Sequence, residues 1–266
     1  MEKTVTTATS KDGTRIAFEQ VGKGPVVILV AGALQPRLGN AQLAELLANH
    51  FTVLNYDRRG RGESAATKPY AVEREIEDIA ALIAAAPDAP SLYGTSSGAT
   101  LALKAAASGL KVGKLVLWEP NFLVDHSRPP LPADYVAHLE GLVAANRRGD
   151  AVEYFMTTAV GMPVQFVTPM RTMPFWPGME AAAHTLAYDG RIVADTLNGK
   201  PVASRQWATV TMPTLVIDGG TTPWLSAGAA AIASALPNGQ RRTLQGQTHD
   251  VAPEAIAPAI TEFLKG

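Results

Sequence analysis

No cysteine occurs among the 266 residues, which excludes disulfides, cysteine-ligated zinc and a cysteine nucleophile. Unbalanced charge is also absent. The formal net charge is -1, without the basic footprint that nucleic acid or an anionic membrane surface would demand. No apolar run approaches the ~20 residues of a membrane-spanning helix. Residues 1–13 are polar and lack the apolar centre of a secretory signal. There is no internal repeat and no low-complexity linker. These absences lead to the expectation of a soluble, cytoplasmic protein with one main domain. Its partner should be a small neutral molecule, with no nucleic acid, membrane, metal or cofactor bound.

What is present is globular. Hydrophobic residues make up 47% and charged residues 18%, and a chain of this length buries a substantial core. Short β-branched runs alternate with longer alanine-rich stretches, the pattern of a mostly parallel sheet covered on both faces. Residues 5–10 and 16–20, joined through Asp12-Gly13, predict an opening hairpin. Strands follow at 26–30, 53–56, 92–93, 115–118, 214–217 and 242–244. Helices are expected over 41–49, 72–86, 97–108, 226–236 and 254–264. The segment 121–207 breaks the rhythm with Arg128-Pro129-Pro130, Met173-Pro174-Phe175-Trp176-Pro177 and helical stretches near 135–146 and 150–159. A structureless loop of that length is rare in a compact domain. The reading is a helical cap, 121–207, inserted in an α/β core formed by 1–120 and 208–266.

Chemistry enters at Tyr93-Gly94-Thr95-Ser96-Ser97-Gly98-Ala99. Gly-x-Ser-x-Gly between a strand and a helix matches a nucleophile elbow, in which the central serine stands exposed at a sharp turn. A glycine-rich loop before any helix would read the same. The strand before and the helix after give the pattern its weight. Ser96 sits at the middle of the frame, which leaves Ser97 to offer its backbone N–H at the helix start. An acyl-transfer serine needs a base, and His249 lies after the last strand and before the last helix. Loop histidines are usually surface polar residues, and His50, His126, His138 and His184 are read that way, with His184 placed in the cap where it could approach substrate. Val30-Ala31-Gly32-Ala33-Leu34 follows the third strand. The N–H groups of Ala33 and Ser97 are the expected oxyanion donors, with Gly32 and Leu34 beside the substrate. Gly32 as a mere strand end is the bland alternative.

Asn55-Tyr56-Asp57-Arg58-Arg59-Gly60-Arg61-Gly62-Glu63-Ser64 completes the set. With it, the chain resembles the α/β-hydrolase superfamily over nearly its whole length, in which a Tyr-Asp-x-Arg-Gly-x-Gly-x-Ser segment follows the fourth strand. The resemblance implies an α/β-hydrolase fold with an eight-stranded, mostly parallel sheet, helices on both faces and an inserted helical cap. It also implies a structural role for this segment. Acidic neighbours Asp57 and Glu63 make a hydrogen-bonded turn a better reading of the three arginines than an anion site.

The family commonly carries an aspartate where this chain has Thr222. Asp218 and Glu119 are the two replacements for the acid that orients His249. Glu119 is favoured, because some members keep their acid there and its longer side chain reaches across the strand tops. Asp218 suits an ordinary turn role with Gly219-Gly220. A narrower resemblance is to fungal zearalenone lactonases and related lactone hydrolases, carried by Gly94 to Ala99, Glu119-Pro120-Asn121, the missing aspartate at Thr222, and Pro174-Phe175-Trp176. It implies that Trp176 lines the substrate pocket, against the alternative that it fills the cap core. The activity implied is acyl-enzyme hydrolysis of a carboxylic ester or lactone. An elbow serine disfavours the dehalogenases and epoxide hydrolases of this fold, which use aspartate. Carbon–carbon bond hydrolysis, cofactor-free haloperoxidase activity and a ligand-binding pseudohydrolase or receptor are the alternatives.

Overall fold

The computed structural model describes residues 4–266, so the first three residues of the polar stretch 1–13 lie outside the described residues. The predicted hairpin forms as β1 (Val5–Thr9) and β2 (Arg15–Val21), paired antiparallel. Gly13 takes φ +83° in its turn, and Asp12 Oδ1 accepts the Thr14 N–H at 3.0 Å. The remaining strands are β3 (Val26–Val30), β4 (Thr52–Tyr56), β5 (Ser91–Thr95), β6 (Leu115–Trp118), β7 (Thr214–Gly220) and β8 (Gly239–Gln247). They form one eight-stranded sheet in the order β1-β2-β4-β3-β5-β6-β7-β8. β2 runs antiparallel to β4, and every pairing from β4 through to β8 is parallel.

Parallel strands need crossover helices, and these cover both faces. Alternation along the strands separates the two cores. Ile28, Val30, Leu115, Leu117 and Val216 face one side with α2 (Val72–Ala84), α3 (Ser97–Ala107) and α9 (Pro223–Ala235). Val27, Leu29, Val116, Trp118 and Ile217 face the other with α1 (Ala41–Leu47) and α10 (Pro253–Lys265). A period of two, apolar on both faces, is the signature of a sheet buried between helical layers. The chain leaves β3 towards β4 on one side and returns to β5 on the other. Open α/β sheets form a crevice at the carboxyl ends of their strands where the winding reverses in this way.

Between β6 and β7 the chain runs through α4 (Tyr135–Ala144), α5 (Arg148–Tyr154), a π-helical turn at Phe155–Val160, α6 (Val164–Val167), α7 (Trp176–Ala182) and α8 (Leu186–Val193). These helices have a core of their own, built on Tyr135, Leu139, Val152, Val167, Trp176 and Leu186. Among the described residues no helix is long and apolar enough to cross a membrane.

The segment after β4 forms the expected hydrogen-bonded turn, with the Glu63 N–H on Asp57 Oδ2 at 3.0 Å and the Ser64 hydroxyl donating to Asp57 O at 2.6 Å, and its three arginines are buried. Asp57 and Glu63 both hold Arg37, at the start of the short 3-10 turn before α1. Arg58 instead makes a fork with Glu75 at 2.7 and 2.8 Å, and Arg59 pairs with Asp78 and Asp12. Arg58 and Arg61 both reach Asp189 on α8. A buried guanidinium requires a carboxylate with matching geometry. Here Glu75 and Asp78 come from the next helix, α2, whereas Asp189 comes from α8, 131 residues from Arg58 and 128 from Arg61.

Candidate active site

Ser96 occupies the turn between β5 and α3 with φ 56° and ψ -124°, a conformation sparsely populated by residues with a side chain. The two flanking glycines make the turn possible. A Cβ on Gly94 would lie 2.6 Å from Gly98 O and Ala99 Cα, and one on Gly98 would lie 2.3 Å from the carbonyls of Val30 and Ala31. The first cannot be relieved without moving the start of α3, nor the second without moving the end of β3. The Ser96 N–H donates to Trp118 O at 2.9 Å, fixing the elbow to the end of β6.

His249 follows β8 and precedes α10, and its Nε2 lies 3.0 Å from Ser96 Oγ. Its Nδ1 lies 2.6 Å from Glu119 Oε2. Its main chain is held from below, where the buried Trp118 indole N–H donates to His249 O at 2.9 Å. Glu119 is buried, takes φ 41°, and accepts the Gly219 N–H on its second oxygen at 3.0 Å. Asp218, equally buried, faces elsewhere. Its carboxylate accepts from Gly220 N at 3.1 Å, Ser226 Oγ at 2.8 Å and Arg241 Nε at 2.8 Å. It does not reach the histidine.

Ala33 and Ser97 flank Ser96, and neither spends its backbone N–H on a protein acceptor among the described residues. Gly32 lies against the serine; a Cβ there would stand 3.3 Å from Ser96 Cβ. The Gly32 N–H is taken by Gln35 Oε1 at 3.2 Å, and Leu34 adopts φ 60° as the loop turns. Gly32, Ala33, Leu34, Ser96, Ser97 and His249 all open onto one cavity of about 860 Å³.

Two expected binding residues lie outside that cavity. Trp176 is 2% exposed, packed in the core of the segment between β6 and β7, with its indole N–H on Glu180 Oε1 at 3.1 Å. Its neighbour Phe175 lines the cavity instead and is 47% exposed. A one-residue step rotates a helical side chain by about 100°, so the two aromatics point to different surroundings. His184 sits beside Gly60, with Nδ1 against Ala181 O at 3.2 Å. Burial there lowers its pKa, and it faces Gly60 in the segment after β4 rather than the serine.

Other lining residues carried no motif. Asn121 Oδ1 lies 3.3 Å from Ser96 Oγ, and its backbone N–H donates to Thr100 Oγ1 at 3.1 Å. It comes two residues after Glu119, a proximity that could have flagged it. Phe155, Met156, Ala159 and Val160 reach the cavity from the π-helical turn, a local widening that is frequent at functional sites. Among the described lining residues there is no lysine or arginine. The carboxylates are Asp250 and Asp189, the latter tied to two arginines.

The alpha/beta hydrolase family model matches residues 27–259. In structure the chain is similar to an alpha/beta hydrolase from Sphaerobacter thermophilus DSM 20745, with 54% identity and a TM-score of 0.91 over 97% of this chain and 100% of that one. It is also similar to a thermophilic esterase from Thermogutta terrifontis, at 21% identity and a TM-score of 0.71 over 98% of both chains, a likeness of fold alone. Among curated relatives, the uncharacterized hydrolase YraK of Bacillus subtilis (strain 168) is 35% identical over 95 residues. That match spans 34% of this chain and 35% of the relative, so the chain covers about a third of that protein's length.

Proposed function

The chain belongs to the alpha/beta hydrolase family, and from that premise we propose that it is a serine hydrolase cleaving an uncharged carboxylic ester or lactone. The observation that carries this reading is the unbroken contact from Ser96 Oγ to His249 Nε2 at 3.0 Å and from His249 Nδ1 to Glu119 Oε2 at 2.6 Å.

In the proposed reaction the Glu119 carboxylate accepts a hydrogen bond from His249 Nδ1–H, which leaves the Nε2 lone pair facing the serine. His249 takes the Ser96 proton as Oγ attacks the carbonyl carbon. The N–H groups of Ala33 and Ser97 stabilise the oxyanion, and His249 returns its proton to the departing alkoxide. Water then attacks the acyl-enzyme with His249 again as base, releasing the acid and restoring the serine. In a lactone the alkoxide and acyl group belong to one molecule, so ring opening and hydrolysis give a single hydroxy acid.

The helices of residues 121–207 act as a cap over this site. Apart from Asn121, Tyr135 and the ion-paired Asp189, their contribution is apolar: Phe155, Val160, Phe175 and Val193 face the cavity, joined from the core by Trp224 and Leu225. A carboxylate-bearing substrate would leave water without meeting a cation, a cost of several kcal/mol in a low-dielectric pocket. A neutral, largely apolar ester or lactone meets no such cost. Covalent labelling with a fluorophosphonate probe tests the nucleophile, and a panel of aryl esters and γ-, δ- and macrocyclic lactones tests the substrate class. The expectation is labelling of the wild type, none of Ser96→Ala, and turnover of neutral members above acidic ones. Folded wild-type protein that resists the probe would favour a binding role instead.

A further inference from the structure

An oxyanion hole made of backbone donors works only if its peptide groups are turned the right way, and buried side chains control that orientation here. Arg61 Nη1 donates to Gly32 O. The Gly32–Ala33 peptide is trans, since Lys68–Pro69 is the one cis bond among the described residues. In a trans peptide the C=O and N–H point in opposite directions. Holding Gly32 O against Arg61 therefore aims the Ala33 N–H away from the guanidinium. One residue earlier the same logic repeats. Arg58 Nη1 donates to Ala31 O at 3.2 Å, and the Gly32 N–H, on the far side of that peptide, meets Gln35 Oε1 at 3.2 Å.

Both arginines are in turn held by one carboxylate. Asp189 Oδ1 accepts from Arg58 Nη1 at 2.8 Å and from Ser97 Oγ at 2.7 Å, while Oδ2 accepts from Arg61 Nη2 at 2.5 Å. Asp189 thus touches the residue supplying the second oxyanion donor and, through Arg61, the peptide supplying the first. It lies on α8, in the segment proposed as the cap, whereas all its partners belong to the sheet domain. Burial by itself would raise the Asp189 pKa, but Arg61, Arg58 and the Ser97 hydroxyl outweigh it and hold the carboxyl below its usual range. It is present as the anion.

We propose that Asp189, Arg61 and Arg58 are positioning residues that set the oxyanion hole from the cap, so that seating α8 on the sheet domain also aligns the Ala33 and Ser97 donors. The alternative is that the same ion pairs only staple the cap to the core, a role in which buried pairs are of uncertain net benefit. The two differ in what they do to the transition state. Misaligned donors weaken binding of a tetrahedral oxyanion and leave ground-state binding unchanged, so kcat falls while KM stays.

The proposal rests on the serine-hydrolase reading, and its test separates the two. Arg61→Met, Arg61→Lys and Ser97→Ala are assayed with an aryl ester, and their affinities are measured for a trifluoromethyl ketone, which forms an oxyanion on Ser96, and for the matching secondary alcohol, which does not. Loss of one such donor costs about 10²–10³ in kcat, and a misaimed one less. Arg61→Met should lose roughly 10- to 100-fold in kcat with KM within about threefold, and ketone affinity should fall by the factor lost in kcat/KM while alcohol affinity holds. Arg61→Lys should recover part of the loss. Ser97→Ala keeps every ion pair and both N–H groups, so it folds even if Arg61→Met does not, and it should lose about 3- to 10-fold in kcat. Unchanged kcat and ketone affinity in Ser97→Ala and in the folded Arg61 variants, with only melting temperature lowered, would overturn the positioning role and leave the hydrolase reading standing. A wild type unreactive towards fluorophosphonate and every ester would overturn both.

Discussion

Glu119 Oε2 stands 2.6 Å from His249 Nδ1 although 130 residues separate them along the chain. The contact exists because β6, β7 and β8 lie side by side and parallel, so that their carboxyl ends meet. Asp218, on the neighbouring strand end, is as deeply buried but is spent on Ser226, Arg241 and the Gly220 N–H. Two carboxylates a strand apart thus have separate surroundings, and substitution should separate their roles.

Glu119→Gln should lower turnover by roughly 10²-fold or more, approaching the ~10⁴ known for an amide in that role, with the melting temperature little changed. Asp218→Asn should keep turnover near wild type and lose roughly 1–3 kcal/mol of stability through its hydrogen bonds to charged and hydroxyl groups. Parallel ester assays and thermal unfolding of both variants check this, and the reverse pattern would make Asp218 the acid.

Ser96→Ala should remove turnover by a factor on the order of 10³ or more. The fold, followed by circular dichroism, and the binding of a product acid should both survive. A loss under tenfold, or about 1.4 kcal/mol, is incompatible with Ser96 as nucleophile.

Phe175 and Trp176 make a paired test of the proposed cap. Phe175→Ala should reorder the preference among bulky esters and lactones without lowering the melting temperature, since the ring is half exposed in the cavity wall. Trp176→Ala should instead cost roughly 3–5 kcal/mol, the range for emptying a packed aromatic site, with the substrate ranking retained. Specificity profiles measured beside chemical denaturation distinguish them.

Asp189 gives a pH prediction. Its folded pKa is lowered, with Arg61 and Arg58 overcoming burial, so its stabilising effect is present above the unfolded value of ~3.9 and is lost as pH falls through the folded value. The unfolding free energy of wild type minus that of Asp189→Asn should therefore be flat from neutral pH to about 5 and shrink below about 4. A difference that stays constant down to pH 3 would show that the charge of Asp189 contributes nothing.

The order of strands and helices, the elbow at Ser96 and the place of His249 were legible in the sequence, because each depends on local signals. Alternation and β-branching mark strands, and glycine at 94 and 98 marks a turn too tight for a side chain. The shortfalls were also local in origin. β5 and β8 extend beyond the predicted 92–93 and 242–244, and α9 begins at Pro223 rather than at 226, since propensity thins at element ends while pairing and capping do not.

Which carboxylate meets His249, which aromatic faces the cavity and which acids neutralise the buried arginines were decided by tertiary structure alone. Glu119 and Asp218 were both admissible until the strands were laid edge to edge. Trp176 and Phe175 differ by one step of helical phase, which a segment with no regular apolar period does not reveal. Asp189 meets Ser97 across 92 residues, Arg61 across 128 and Arg58 across 131. A sequence records the residues available for such contacts, but only the packed chain brings charges that distant within hydrogen-bonding range, because burial of each depends on the presence of the others.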